Sequence, residues 1–251
     1  MFVARQLVYV ENHKTGSTQI LDLLGRAIPG RAMGKHNRPR KYPADRVIVT
    51  SVRNPWDWYL SLWTFGCRGL GAVHGRLTAA GLDDAPGSRA ARWRELYADA
   101  GDPGRFRAWL QCMHDSANAG LLGEGYGDWP LNARTGFCTY RFLGFAVDDV
   151  LVLRDPGPAG GSAEALYARH NAIDRVIRTE RLSTDLLAAL EAAGCPPDDA
   201  TTAMIRGGDA HPTNASARGA TTRYYDADTA RLVGDRERLL VEAFDYQQPD
   251  V

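Results

Sequence analysis

The stretch Gln6-Leu7-Val8-Tyr9-Val10-Glu11, running directly into Asn12-His13-Lys14-Thr15-Gly16-Ser17-Thr18, decides the fold. Its first half is an apolar run too brief for a helix and reads as a buried strand. From Ser17 to Ile28, the residues Ile20, Leu21, Leu24, Ala27 and Ile28 recur on one helical face, so a helix follows the strand after a tight turn. Arg46 to Val52 repeats the arrangement. It is a strand bounded by Pro43 and by Arg53-Asn54-Pro55, and it leads into Trp56 to Phe65, an aromatic helix with Pro55 in its first turn. Ile173 to Arg178 supplies a third strand. The helix after it is capped by Ser183, stapled by Leu182 and Leu187, and ended by Gly194. Strands alternating with helices predict an α/β protein of three layers, with a central, mostly parallel sheet flanked by helices. Ligands in such folds bind outside the carboxyl ends of the strands.

The remainder is less regular. Gly66 to Ala91, rich in Gly and Ala with Asp83-Asp84-Ala85-Pro86-Gly87, is expected to contain a loop, and Arg92 to His114 reads as one or two helices broken near Gly101-Asp102-Pro103-Gly104. Ser116 to Gly136, with five glycines, reads as a surface loop near a site. Asp155 to Gly161 is the clearest break, but the chain beyond it is too short to stand alone, so residues 1–251 are expected to form a single domain with irregular insertions around 66–168. Cys195 to Thr222 reads as loop, and Asp226 to Phe244 as two short helices, the second starting after Asp235.

Among 251 residues, 30 basic side chains balance 30 acidic ones. A net charge of zero argues against a general polyanion-binding surface, so no nucleic acid and no acidic membrane is expected as a partner, and any anion site must be local. Only Lys14, Lys35 and Lys41 are lysines, all within the first 41 residues. In a chain this rich in arginine, that hints at a wanted point charge. The apolar stretch at the N-terminus is too short for a signal peptide, and no run approaches the ~18 apolar residues that span a bilayer, so a cytoplasmic protein is expected. Cys67, Cys112, Cys138 and Cys195 are scattered. With Cys112 and His114 the nearest thing to a ligand pair, no metal site or disulfide framework is expected.

The turn from Asn12 to Thr18 carries the parts of an anion cradle. A helix start offers unpaired N–H groups and the positive end of the dipole, Gly16 permits close backbone approach, Ser17 and Thr18 add hydroxyls, and Lys14 stands at the mouth. The plainer reading is that Ser17 or Thr15 caps the helix and Lys14 is solvated. The NTPase pattern G-x-x-x-x-G-K-[ST] is absent, since Lys14 precedes its glycine, and no Asp ends the strand Val47-Ile48-Val49 to hold a metal. At the second strand end, Arg53 and, eight residues on, Ser61 could grip a second phosphate by forked and hydroxyl bonds. Alternatively, Arg53 pairs with Asp57 and Ser61 is packing.

Together the two segments resemble the sulfotransferases that use 3′-phosphoadenosine 5′-phosphosulfate (PAPS). His13-Lys14-Thr15-Gly16-Ser17-Thr18 is similar to their 5′-phosphosulfate loop, P-K-[TS]-G-[ST]-[ST], with His13 where proline is common. Val52 to Trp63, VRNPWDWYLSLW, is similar to their 3′-phosphate motif. The resemblance implies a P-loop-like sulfotransferase fold. It implies 5′-phosphosulfate binding by Lys14, Thr15, Gly16, Ser17 and Thr18, and 3′-phosphate binding by Arg53 and Ser61. Weaker similarities point to the branch that includes carbohydrate sulfotransferases. They are Gly34-Lys35-His36, Val176 to Leu182, and Asn214 to Arg218 followed by Tyr224-Tyr225, where Arg218 belongs to a loop that closes over the cofactor. Insertions around 66–168 would then bind the acceptor.

The implied reaction moves a sulfuryl group from PAPS to a hydroxyl of a carbohydrate or small molecule by in-line displacement, without a metal. Lys14 stabilises the leaving oxygen. His36 is the leading base because imidazole titrates near neutrality, Glu11 is the second candidate, and His114 and His170 rank below them. The competing readings are a non-catalytic nucleotide-binding protein and a metal-dependent nucleotide kinase. The loop with Tyr126 and Trp129, and Arg38 to Lys41, are candidates for lining the acceptor pocket.

Overall fold

A computed structural model describes residues 1–79, 88–157, 161–207 and 220–251. In chain order its strands and α-helices are β1 (Phe2–Ala4), β2 (Leu7–Val10), α1 (Ser17–Ala27), β3 (Gly30–Ala32), β4 (Val47–Val52), α2 (Pro55–Cys67), α3 (Ala72–Thr78), α4 (Arg89–Leu96) and α5 (Pro103–His114). Next come α6 (Ala119–Leu122), α7 (Phe137–Ala146), α8 (Ala163–His170), β5 (Arg175–Arg178), α9 (Leu182–Ala192), α10 (Asp199–Gly207), α11 (Ala227–Arg236) and α12 (Arg238–Phe244). The chain divides into two compact units. The first comprises Met1–Asn54, Arg141–Val152 and Pro156–Ala215; the second comprises Pro55–Tyr140, Leu153–Asp155 and Ser216–Val251. Residues 66–168 therefore divide between both.

The first unit holds the whole sheet, in the order β3-β1-β2-β4-β5. The pairs β2–β4 and β4–β5 are parallel, while β1 is antiparallel to both β2 and β3. The sheet is thus mixed rather than mostly parallel. Between β1 and β2 only Arg5 and Gln6 intervene, which is too little chain for a parallel crossover. Neither three-residue strand carries a readable pattern, and β3 is exposed throughout. Its close approach to β1 requires Gly30, where a Cβ would stand 2.4 Å from the Phe2 ring and 2.9 Å from the Val3 carbonyl.

One sheet face contributes Leu7, Tyr9, Val49 and Ile177 to a core completed by Ile20, Leu23 and Leu24 of α1, Leu182, Leu186, Ala189 and Leu190 of α9, and Ile205 of α10. Each such Leu or Ile contributes roughly 1.5–3 kcal/mol by leaving water. The alternate residues Val8, Val10, Ile48 and Val52 face the other way and are also buried. Sheet residues buried on both faces are what an apolar run without alternation requires. Helix α9 starts two residues earlier than read, at Leu182, with Arg181 at the N-cap position. Ser183 is not its cap, because its hydroxyl donates 2.6 Å to the Ile205 carbonyl and so ties α9 to α10. Helix α10 itself lies within the stretch expected to be loop.

The second unit is helical. Pro55 opens α2, Asp102 caps α5 after the expected break, and Asp226 closes a capping box with Thr229 on α11. Tyr126 and Trp129 are buried, so they pack rather than line a surface loop. No helix among the described residues is long and apolar enough to cross a membrane.

Candidate functional site

At the carboxyl end of β2 the chain enters the loop before α1 through two left-handed residues, Lys14 at φ 62° and Gly16 at φ 75°. Gly16 meets no steric penalty there, and a Cβ would come within 3.3 Å of Leu182. Lys14 is a lysine in a conformation that favours glycine, a strain typical of functional loops. Among the described residues, the amides of Gly16, Ser17 and Thr18 make no backbone hydrogen bond, and they lie at the positive end of α1. Gly16 instead offers its carbonyl to Gln19 and Ile20. Thr18 is exposed and Ser17 buried.

Thr15 does not present its hydroxyl to the loop's outer side. It is fully buried, donates to the Asn12 carbonyl at 3.0 Å and lies 2.6 Å from Ser51 Oγ on β4, which in turn is 2.7 Å from the Tyr9 hydroxyl on β2. This chain of hydroxyls fastens the loop to two neighbouring strands, leaving Thr15 only its backbone for a ligand. Burial raises the Tyr9 pKa, so its hydroxyl keeps its proton and remains a donor. Asn12 is also fully buried. Its side-chain oxygen accepts from the His13 amide, and its Nδ2 has no acceptor among the described residues. Neither Tyr9 nor Ser51 stands out in the sequence, because strand residues facing a core all read alike.

Arg53 follows β4, and one of its guanidinium nitrogens is 3.4 Å from the Lys14 carbonyl, so the second strand end meets the cradle loop. Asn54 donates its amide to Glu180, and Thr179 donates to the Val52 carbonyl, which joins the segment after β5 to the same region. Ser61 belongs to the second unit, buried on α2. Asp57, weighed as a partner of Arg53, accepts a hydrogen bond from Thr221. Arg218 and the Asn214–Arg218 loop lie outside the described residues. Tyr224 and Tyr225 are buried in the second unit, bonded to the carbonyls of Ala100 and Trp56.

His36 stands beside the cradle. Its Nδ1 is 3.3 Å from the Glu11 carbonyl at the end of β2. A carbonyl only accepts, so Nδ1 carries the hydrogen and Nε2 the free lone pair. Burial lowers the His36 pKa, and Arg141 and Lys35 push the same way against the opposing Glu11 groups. The ring is therefore neutral and basic at neutral pH. His36, like Lys14, is left-handed, at φ 51°. Its loop is pinned to the end of α7. Arg38 donates to the carbonyls of Gly144, Val147 and Asp148, and Tyr42 to that of Phe145. Arg38 is thus a fastener of the loop that carries His36.

Glu11 presents a different picture. Its carboxylate is 1% exposed, with Oε1 2.5 Å from the Met1 nitrogen, which also donates to the Gly34 carbonyl and to Asn37. The side chain organises the loop, and its carbonyl organises His36. Arg141, buried on α7, was not legible as part of the site; no motif surrounds it. His170 pairs with exposed Asp148, and His114 is buried in the second unit. Among the described residues no group of three or more His, Cys, Asp or Glu is placed to hold a metal ion. In comparisons with known proteins, no family model, no curated sequence and no solved structure matches the chain.

Proposed function

We propose that the chain is a sulfotransferase on a P-loop-like sulfotransferase fold, moving the sulfuryl group of PAPS to a hydroxyl of a carbohydrate or small-molecule acceptor. One observation carries the reading. At the carboxyl ends of the adjacent parallel strands β2 and β4, a cradle loop bearing Lys14 meets Arg53, and His36 is held on the same strand end with Nε2 unprotonated. These are the three functions in-line group transfer asks of a protein: a grip on the anion, a charge for the leaving oxygen and a base for the attacking one.

In this reading the amides of Gly16, Ser17 and Thr18 hold the 5′-phosphosulfate. The exposed Thr18 hydroxyl adds a donor, while Thr15 supports the loop from within. Lys14 neutralises the bridging oxygen as its bond to sulfur breaks, releasing adenosine 3′,5′-bisphosphate. The acceptor oxygen forms the new bond, and its proton passes to His36 Nε2. Arg53 is assigned the 3′-phosphate. For Ser61 and Arg218 the sequence resemblance is the whole support. Glu11 is the weaker base, because its carboxylate is buried against the Met1 nitrogen. The test is incubation with ³⁵S-labelled PAPS and a panel of sugars, oligosaccharides and phenols. Label should appear in a sulfate ester of one class. Tight PAPS binding with no transfer to any acceptor would favour a non-catalytic nucleotide-binding protein, and no PAPS binding would overturn the proposal.

A further inference from the structure

His13 stands where the similar loop usually has proline. Its ring lies on that of His36, with centroids 3.8 Å and planes 17° apart. Phe145 approaches the His13 ring at 6.3 Å. The hydrogen bond from His36 Nδ1 to the Glu11 carbonyl is 3.3 Å, at the long end for N–H···O, and does little alone to fix the ring's plane. We propose that His13 is a positioning residue: stacked on His36, it locks that ring so that Nδ1 keeps facing the Glu11 carbonyl and Nε2 remains the nitrogen that takes the acceptor's proton. Its catalytic consequence rests on the reading of His36 as the base; the stacking itself does not.

Two constraints define the ring. The stack fixes its plane, and the carbonyl fixes its rotation within that plane. The backbone beneath is already held by Arg38 and Tyr42, so little freedom is left to the side chain. A proline at position 13 would stiffen the loop but offer no aromatic face. The pair also resists double protonation, because two imidazolium rings at this separation repel. The other charged groups facing His36 are the Glu11 carboxylate, with the Met1 ammonium against it, Lys35 on the same loop, and Arg141 from α7. Removing the His13 ring should therefore loosen the orientation of His36 and ease its protonation.

The experiment is ¹⁵N-resolved spectroscopy of the His36 ring in the full chain, near pH ~7 where neutral imidazole prevails, for wild type, His13→Ala and His13→Phe. The wild type should show Nδ1 protonated and Nε2 not. His13→Ala should mix the two tautomers and raise the titration midpoint, and His13→Phe should restore the single tautomer. Turnover should change in parallel, falling about ten-fold or more in His13→Ala while affinity for adenosine 3′,5′-bisphosphate stays within about two-fold. An unchanged His36 spectrum in His13→Ala, a wild-type Nε2–H tautomer, or failure of phenylalanine to restore what alanine loses would overturn the inference. If the chain transfers no sulfuryl group, the functional reading falls, and the nitrogen shifts still decide whether His13 orients His36.

Discussion

Both units contain a cluster of titratable side chains, and the two clusters are built in opposite ways. In the first unit, Lys14 and His36 sit on loops at strand ends, in left-handed backbone, partly open to solvent. In the second, Glu237 is fully buried. Its Oε1 accepts from the Tyr59 hydroxyl at 2.5 Å and the Cys138 amide at 3.2 Å, and its Oε2 accepts from the Thr139 amide at 2.7 Å. Tyr59 accepts from the Phe137 amide and packs against His114 at 5.0 Å. Glu237 and Tyr59 together satisfy the orphan amides at the start of α7, and Gly136 leaves room for the carboxylate, since a Cβ there would come within 1.9 Å of it. A carboxylate, a tyrosine and a histidine in contact thus form a sealed fastening in one unit. In the other, fewer and more exposed groups form a candidate site. Access and strained backbone separate the two cases; residue type does not.

That contrast is sharpest under mutation. Lys14→Ala should cost function and spare the fold, with sulfuryl transfer falling by about 10²–10³, roughly 3–4 kcal/mol, at an almost unchanged melting temperature. Retention of more than about a third of turnover would remove Lys14 from the chemistry. Glu237→Ala should do the reverse. It strands two amides and a hydroxyl in the core, so unfolding in urea should show a loss of about 3 kcal/mol, and a loss below about 1 kcal/mol would show the cluster to be looser than described.

The pH response should belong to the sealed cluster. Burial, and after it the Arg236 charge, lowers the His114 pKa from 6.5 to about 3. Between those values the unfolded chain binds a proton that the folded chain refuses, so stability falls as pH drops through this window, by up to about 1.4 kcal/mol per unit. Glu237 acts in the opposite sense. Burial raises its pKa, so its contribution is present at low pH and is lost as pH rises past the ordinary carboxylate range. A His114→Gln variant should flatten the acid-side decline in a series of melting curves; an undiminished slope would assign it elsewhere. The smallest effect is expected for Ser51→Ala, which cuts the hydroxyl chain holding the cradle. It should cost about 1 kcal/mol of stability and loosen adenosine 3′,5′-bisphosphate binding by a few-fold. Equal affinity in calorimetry would show that the loop holds its shape without the chain.

The sequence made β2 and β4 legible because each is an apolar run ended by turn residues, and β5 by the Val176-Ile177 pair between arginines; it placed α1 by its periodicity and α2 by its aromatic run after Pro55. The antiparallel additions were not legible. A strand as short as Gly30–Ala32, fully exposed, has neither alternation nor apolar content. Helix α10 was hidden because the residues around it read as turn-rich. Within the site, Lys14, Gly16 and His36 could be picked out because their residue types are chemically marked. The side to which Thr15 turns, the burial of Glu11 and the contact of His13 with His36 are consequences of tertiary packing, which spacing along the chain does not encode.

The central claim is that the Lys14 loop and Arg53 form a nucleotide site of the PAPS type. The most direct measurement is a thermal-shift comparison of adenosine 3′,5′-bisphosphate with ADP and ATP, each with and without magnesium, on the wild-type chain and Arg53→Ala. The account predicts stabilisation by adenosine 3′,5′-bisphosphate independent of magnesium and lost in Arg53→Ala. Stabilisation by ATP with magnesium alone would contradict it.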